Sequence, residues 1–228
     1  EDGSLNFIEG NEFTGELKEG QYTSCPVCAF YDMLTSTKHG AGDFLSKSDV
    51  NWIDLYPLAQ YANQLVSTPD GGTEPRFSIN TVIGVQADAY SVIQDLASVF
   101  RGMTYWASSA IQVVGDHGNL DGTDITPVHL YNNANVLEGT FTYSGTSLKT
   151  RSTSLKIRYN DPNFFYKSNY VIVEDYDLIT KYGYQRKEII AFGCTSKYQA
   201  QRMGRWLMAA EELDQEVISF TTGLEGVA

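Results

Sequence analysis

The chain has 228 residues, 42% of them hydrophobic and 13% aromatic, enough to bury a core in one or two domains and too apolar for a disordered chain. A net charge of −12 and a pI near 4.6 exclude the basic footprint that nucleic-acid binders need, so no nucleic-acid partner is expected. No apolar run approaches the roughly 20 residues of a membrane span, the N-terminus lacks a signal-peptide layout, and three cysteines without scaffold spacing point to a reduced compartment of synthesis.

In chain order, residues 1–20 show no strong period and contain Gly10, Gly15 and Gly20; strands or an ordered arm are expected. The acidic, Gly-interrupted start, and an end that follows directly on a predicted strand, are what a piece excised from a longer polypeptide would show. Pro26 sits where a helix starts, with Ser24 as its cap and Val27, Phe30, Tyr31 and Leu34 at helical spacing. Lys38 to Gly42 ends that helix. A second helix follows Asp49 to Trp52, its stripe running through Leu55, Leu58, Ala59, Ala62, Leu65 and Val66 until Pro69 to Gly72 stops it. A strand is expected from Arg76 to Ile83, a helix from Gln86 to Arg101 with Gly102 as its C-cap glycine, and short strands at Met103 to Trp106 and Ile111 to Val114.

Residues 115–136 read as a polar loop. Strands are expected at Gly139 to Tyr143, Leu155 to Tyr159 and Tyr170 to Val173, a short helix at Asp175 to Tyr182 stopped by Gly183, and a strand at Arg186 to Ala191. Thr195 and Ser196 offer N-cap hydroxyls, and Ser196 with Gln199 has capping-box spacing. Ala200, Met203, Leu207 and Ala210 mark one face of the helix that follows; after Asp214 the period changes to two. The expected class is α+β, with small mixed or antiparallel sheets covered by helices, a β-α-β-β unit and a terminal strand-helix-strand. The expected divisions are an arm with a two-helix segment (1–75), the β-α-β-β unit (76–115), a loop (116–136) and an α+β unit closing on helix 196–213 (137–228).

Several motifs in matched order carry a resemblance. AFGCTSKYQAQRMGRWLM (Ala191 to Met208), with its continuation to GLEG (Gly223 to Gly226), resembles the host-specificity protein J family of lambda-like phages, the central tail-tip or tip attachment proteins. YDMLTSTKHGAG, LYPLAQYANQLV, GGTEPRF and ASVFRGMTYW resemble the upstream part of that family, and RYNDPN (Arg158 to Asn163) sits where the family has a similar strand-end motif. The likeness spans roughly Ser24 to Gly226, and is poor over 1–20 and 115–150. It implies hub-like domains, a homotrimer in the parent protein, other phage tail proteins as partners, a virion location after synthesis in the bacterial host cytoplasm, and contact with a bacterial surface receptor through regions outside this chain. It implies no enzyme activity and no cofactor.

Cys25-Pro-Val-Cys28 has the spacing of a redox pair or half a zinc site, but no other half is in sight, so two small, semi-buried helix residues are expected. Asp116, Asn119, Asp121 and Asp124 fail the calcium-loop pattern at its glycine and its final glutamate. No metal site is expected. His39, His117 and His129 are scattered, and Cys194, after Gly193, reads as corner packing rather than as a nucleophile. A cell-wall hydrolase would need two carboxylates flanking one bond, and none are singled out. A carbohydrate- or receptor-binding module would need an exposed aromatic platform, for which Phe164 and Phe165 are the candidates. Glu211, Glu212 and Asp214 crowd a helix C-terminus, where the macrodipole disfavours them, so a neighbouring chain is expected to supply cations. Arg202, Arg205 and Glu212 on the helix's polar face complete the expected assembly contacts.

Overall fold

The computed structural model describes residues 8–9, 12–13, 22–84, 88–107, 109–117, 127, 129–145, 151–214 and 216–223. Strands β1 (Ile8–Glu9) and β2 (Glu12–Phe13) pair antiparallel; the rest of the expected N-terminal arm lies outside the described residues. Helix α1 (Pro26–Thr35) starts on its proline, whose missing N–H is no loss in a first turn. Its cap residue is Cys25, not Ser24, whose carbonyl instead accepts from Ile79. Val27, Phe30, Tyr31 and Leu34 are buried, with Phe30 edge-to-face against Phe100 at 5.7 Å.

Helix α2 (Trp52–Asn63) ends earlier than its stripe predicts, because the turn at Pro69 to Gly72 folds the chain back and gives the residues before it a strand partner. Leu65–Ser67 therefore becomes β3, paired with β4 (Thr73–Pro75). The strand expected from Arg76 to Ile83 does not form. Its backbone N–H groups go to scattered places: Arg76 to Gln64, Phe77 to Ala62, Ser78 to the Gln199 side chain, Ile79 to Ser24 and Asn80 to Gly193. Helix α3 (Ala89–Val99) is capped by the Asp88 carboxylate, and the left-handed turn after it falls on Arg101 (φ 59°) while Gly102 opens the next strand. Strands β5 (Gly102–Ala107) and β6 (Ala110–Gly115) form an antiparallel hairpin. One core gathers residues from both sides of position 75, including Leu34, Leu55, Ala59, Leu96, Phe100 and Val113.

The second core lies under a three-stranded sheet. Strand β7 (Thr142–Gly145) stands apart from it. Strands β8 (Ser154–Asp161) and β9 (Lys167–Glu174) are antiparallel neighbours, helix α4 (Tyr176–Tyr182) crosses over, and β10 (Arg186–Ile190) returns parallel to β8. Helix α5 (Lys197–Leu213) covers the face presenting Leu155, Ile157 and Val171. Its approach is close at Gly204, where a Cβ would fall 2.5 Å from Ile157 Cδ1 and 2.8 Å from Val173 Cγ2. Strand β11 (Glu216–Ser219) pairs antiparallel with β7, joining segments more than seventy residues apart. The class is α+β.

Candidate assembly interface

Helix α5 faces two ways. Ala200, Gly204 and Met208 pack on the sheet, while Gln199, Arg202 and Trp206 reach the N-terminal core's outer elements. Ser196 caps the helix by accepting from Tyr198 N and Gln199 N at 3.2 Å each. The capping box does not close. The Gln199 side chain instead clasps Ser78, accepting from its N–H and hydroxyl and donating to its carbonyl, all at 3.0 Å. The Ser196 hydroxyl donates to Glu74 at 2.6 Å, and Arg202 donates to Glu74 at 2.6 Å and to the Arg76 carbonyl at 2.9 Å. Further along, Arg101 lies 4.5 Å from the Trp206 ring centre and Trp206 Nε1 donates to Asp116 at 2.9 Å. Desolvation lowers the Arg101 pKa, a sign that this guanidinium is lodged inside the junction. Gly193 completes the contact. Its positive φ (59°) and the 2.5 Å between its would-be Cβ and Ile79 Cγ1 leave room for no other residue.

These contacts locate the expected assembly residues. Arg202 is half-buried and spans the junction between the two cores. Glu211 accepts from Ser152 N at 2.7 Å and meets Lys187 at 3.2 Å, so its cation comes from the same chain. Arg205, Glu212 and Asp214 are exposed. Phe164 and Phe165 sit at the tip of the β8–β9 hairpin, where Pro162–Phe164 makes a 3-10 turn. Phe165 is 89% exposed, and both it and Tyr166 are left-handed (φ 56° and 57°). Tyr166 stands exposed beside them, and its adjacency to two aromatics is the signal the sequence carries.

Asp161 fixes this tip. It accepts from Asn169 Nδ2 at 2.9 Å, Asn163 N at 3.0 Å and the Tyr159 hydroxyl at 3.2 Å, and these bonds, the Asn169 one first, lower its pKa. Burial, with Asp161 as neighbour, raises that of Tyr159.

The chemical candidates separate in space. His39 bonds Asp32 at 2.7 Å, His117 lies against Tyr61, and His129 against Tyr131. Burial pushes the Cys194 thiol up to about 11, the wrong direction for a nucleophile, and its S–H donates to the Ser196 carbonyl. Cys25 and Cys28 are fully buried rather than semi-buried, and Cys25 stands before the helix instead of in it. Among the described residues no three His, Cys, Asp or Glu gather as metal ligands, and each carboxylate with a shifted pKa, at Asp49, Asp70 and Asp161, is lowered by hydrogen bonds. Asn119, Asp121 and Asp124 lie outside the described residues.

Fold and surface thus define an α+β module with a polar internal clasp and an exposed aromatic hairpin tip. The chain belongs to the family described as "Putative phage tail protein", whose model matches residues 88–228. It is 33% identical over 224 residues to Tip attachment protein J of Escherichia phage SECphi4, covering 98% of this chain and 19% of that protein. It is 31% identical over 206 residues to Tip attachment protein J of Escherichia phage SECphi27, covering 90% of this chain and 17% of that one. The chain therefore spans about a fifth of the length of the curated relatives it matches.

Proposed function

We propose that this chain is a structural module of a phage tail tip, working within a homotrimeric hub that joins the tail tube to a receptor-binding region elsewhere in a longer protein. The observation that carries the reading is the 33% identity running through 98% of the chain to a tip attachment protein. Its partners in this reading are further copies of itself and other tail proteins, its place is the virion tail, and its mechanism is assembly, not catalysis. The surfaces offered for assembly are the tip residues Phe164 and Phe165 and the outward charges Arg205, Glu212 and Asp214. Arg202 and Glu211 serve assembly only indirectly, by fixing α5, since their partners lie within the chain. The division into a unit around the first core and a unit around the second belongs to the same proposal.

The exposed aromatic tip also favours a second reading, a carbohydrate- or receptor-binding module. Phe165→Ala separates the two. Under the assembly reading, phage carrying it fail to complete tails, as counted by electron microscopy; complete tails with lost adsorption would support the binding module instead.

A further inference from the structure

Two sheet faces are left open, and each carries a charge without a partner among the described residues. The first is the outer face of the sheet β10-β8-β9, opposite the side that α5 covers. Register puts Ile190, Arg158 and Tyr170 in one row across it and Glu188, Lys156 and Ile172 in the next. Tyr170, Ile172 and Ile190 are each more than half exposed. Lys156 is held by Glu188 at 3.3 Å and lies 3.9 Å from the Tyr170 ring centre, whereas the Arg158 guanidinium meets no carboxylate and no hydrogen-bond acceptor among the described residues. The second is one side of the ribbon formed by β7 and β11. Register and alternation put Glu216, Ile218 and Tyr143 on that side. Phe141 and Phe220 extend it, with ring centres 6.3 Å apart for Phe141 and Tyr143 and 5.1 Å apart for Phe141 and Phe220. Tyr143 is 66% exposed and Ile218 48%, and the Glu216 carboxylate has no partner among the described residues. A two-stranded ribbon is marginal in water unless an apolar side is covered.

We propose that these two faces bind each other between copies of this chain: the ribbon side of one copy lies on the outer sheet face of the next, Glu216 meets Arg158, and Tyr143 and Ile218 cover Tyr170 and Ile190. The contact rests on the homotrimeric hub proposed above and supplies its surface. Charge complementarity selects a second copy as the occupant. At a net charge of −12, copies repel one another except where a free carboxylate is brought to a free cation, and the two faces offer one of each beside apolar area. Sheet faces stack at about 10 Å with their side chains interleaved, so both apolar sides leave water in the same step. The inserting and receiving faces are different surfaces of the chain, which makes the contact head-to-tail, and three copies close the ring if each is turned by a third of a circle.

The test compares wild type, Arg158→Glu, Glu216→Arg and the double variant by sedimentation equilibrium of the intact polypeptide that carries these residues. Each single reversal is expected to raise the concentration of half-assembly at least about tenfold, and the double variant to recover most of that loss. A second pair keeps the test decisive should a reversal disturb folding. Tyr170→Cys combined with Ile218→Cys, oxidised and run without reductant, should give a ladder reaching three chains, and either cysteine alone should give none. Wild-type trimers that ignore both reversals and yield no ladder from the cysteine pair would overturn the contact and leave the hub standing. A wild type that stays monomeric would overturn both. A disulfide closed within one chain would overturn the contact as well, by assigning the cover to the same copy.

Discussion

Gln199 closes a clasp that no local pattern could announce, because its partner Ser78 is 121 positions away. Its spacing from Ser196 fits a capping box, but the amide can serve only one partner, and the backbone of Ser78 needs both its donor and its acceptor satisfied. Gln199→Ala leaves those half-buried groups unpaired, with an expected loss of about 1 kcal/mol in urea unfolding. Cys194 sets a pH dependence of known sign. Its folded pKa of about 11 lies above the ordinary 9.0, so the native state holds the proton more tightly than the unfolded chain. The stability this contributes is complete below pH 9 and disappears as pH rises through 11. Urea unfolding at a series of alkaline pH values should show a steeper decline for the wild type than for Cys194→Ala, by on the order of 2 kcal/mol across that window. Parallel curves would contradict the assignment. The burial of Cys194 at a strand-to-helix corner was readable from sequence.

Element boundaries were readable where capping and period agreed. Helix α5 runs from Lys197 to Leu213 as its cap and apolar stripe predict, and α4 (Tyr176–Tyr182) falls in the expected span, with Asp175 standing before it as the cap. Sequence reasoning fell short where pairing partners are distant. The stripe of α2 continues through Val66, yet the return of the chain at Thr73 turns those residues into a strand. The extended run after Arg76 lacks strand partners because its amides go to separate segments, at Ala62, Gln199, Ser24 and Gly193. The helix–sheet spacing at Gly204 gives a direct test. Alanine is a better helix former than glycine by about 1 kcal/mol, but a methyl against Ile157 and Val173 is overpacking worth about 1–3 kcal/mol. Gly204→Ala should therefore lower the urea midpoint despite its helix propensity. At the hairpin tip, Phe165→Gly relieves a left-handed phenylalanine. The unfolding midpoint of the monomer should hold or rise while assembly weakens. A fall in the midpoint with assembly intact would assign Phe165 to local packing instead.

Among the described residues two apolar cores meet at a junction of charged, amide and aromatic contacts, with Phe192 packed against the first core. Such a junction fixes orientation through geometry. The α+β class and the family were both readable in the sequence, because caps, periods and ordered motifs are local. The sheet order β10-β8-β9, the pairing of β7 with β11 and the clasp were not, because they join residues far apart in the chain. The assembly claim remains the central one. Multi-angle light scattering on the intact polypeptide that carries these residues tests it most directly: the account predicts the mass of three chains, and a strictly monomeric protein across the concentration range would contradict it.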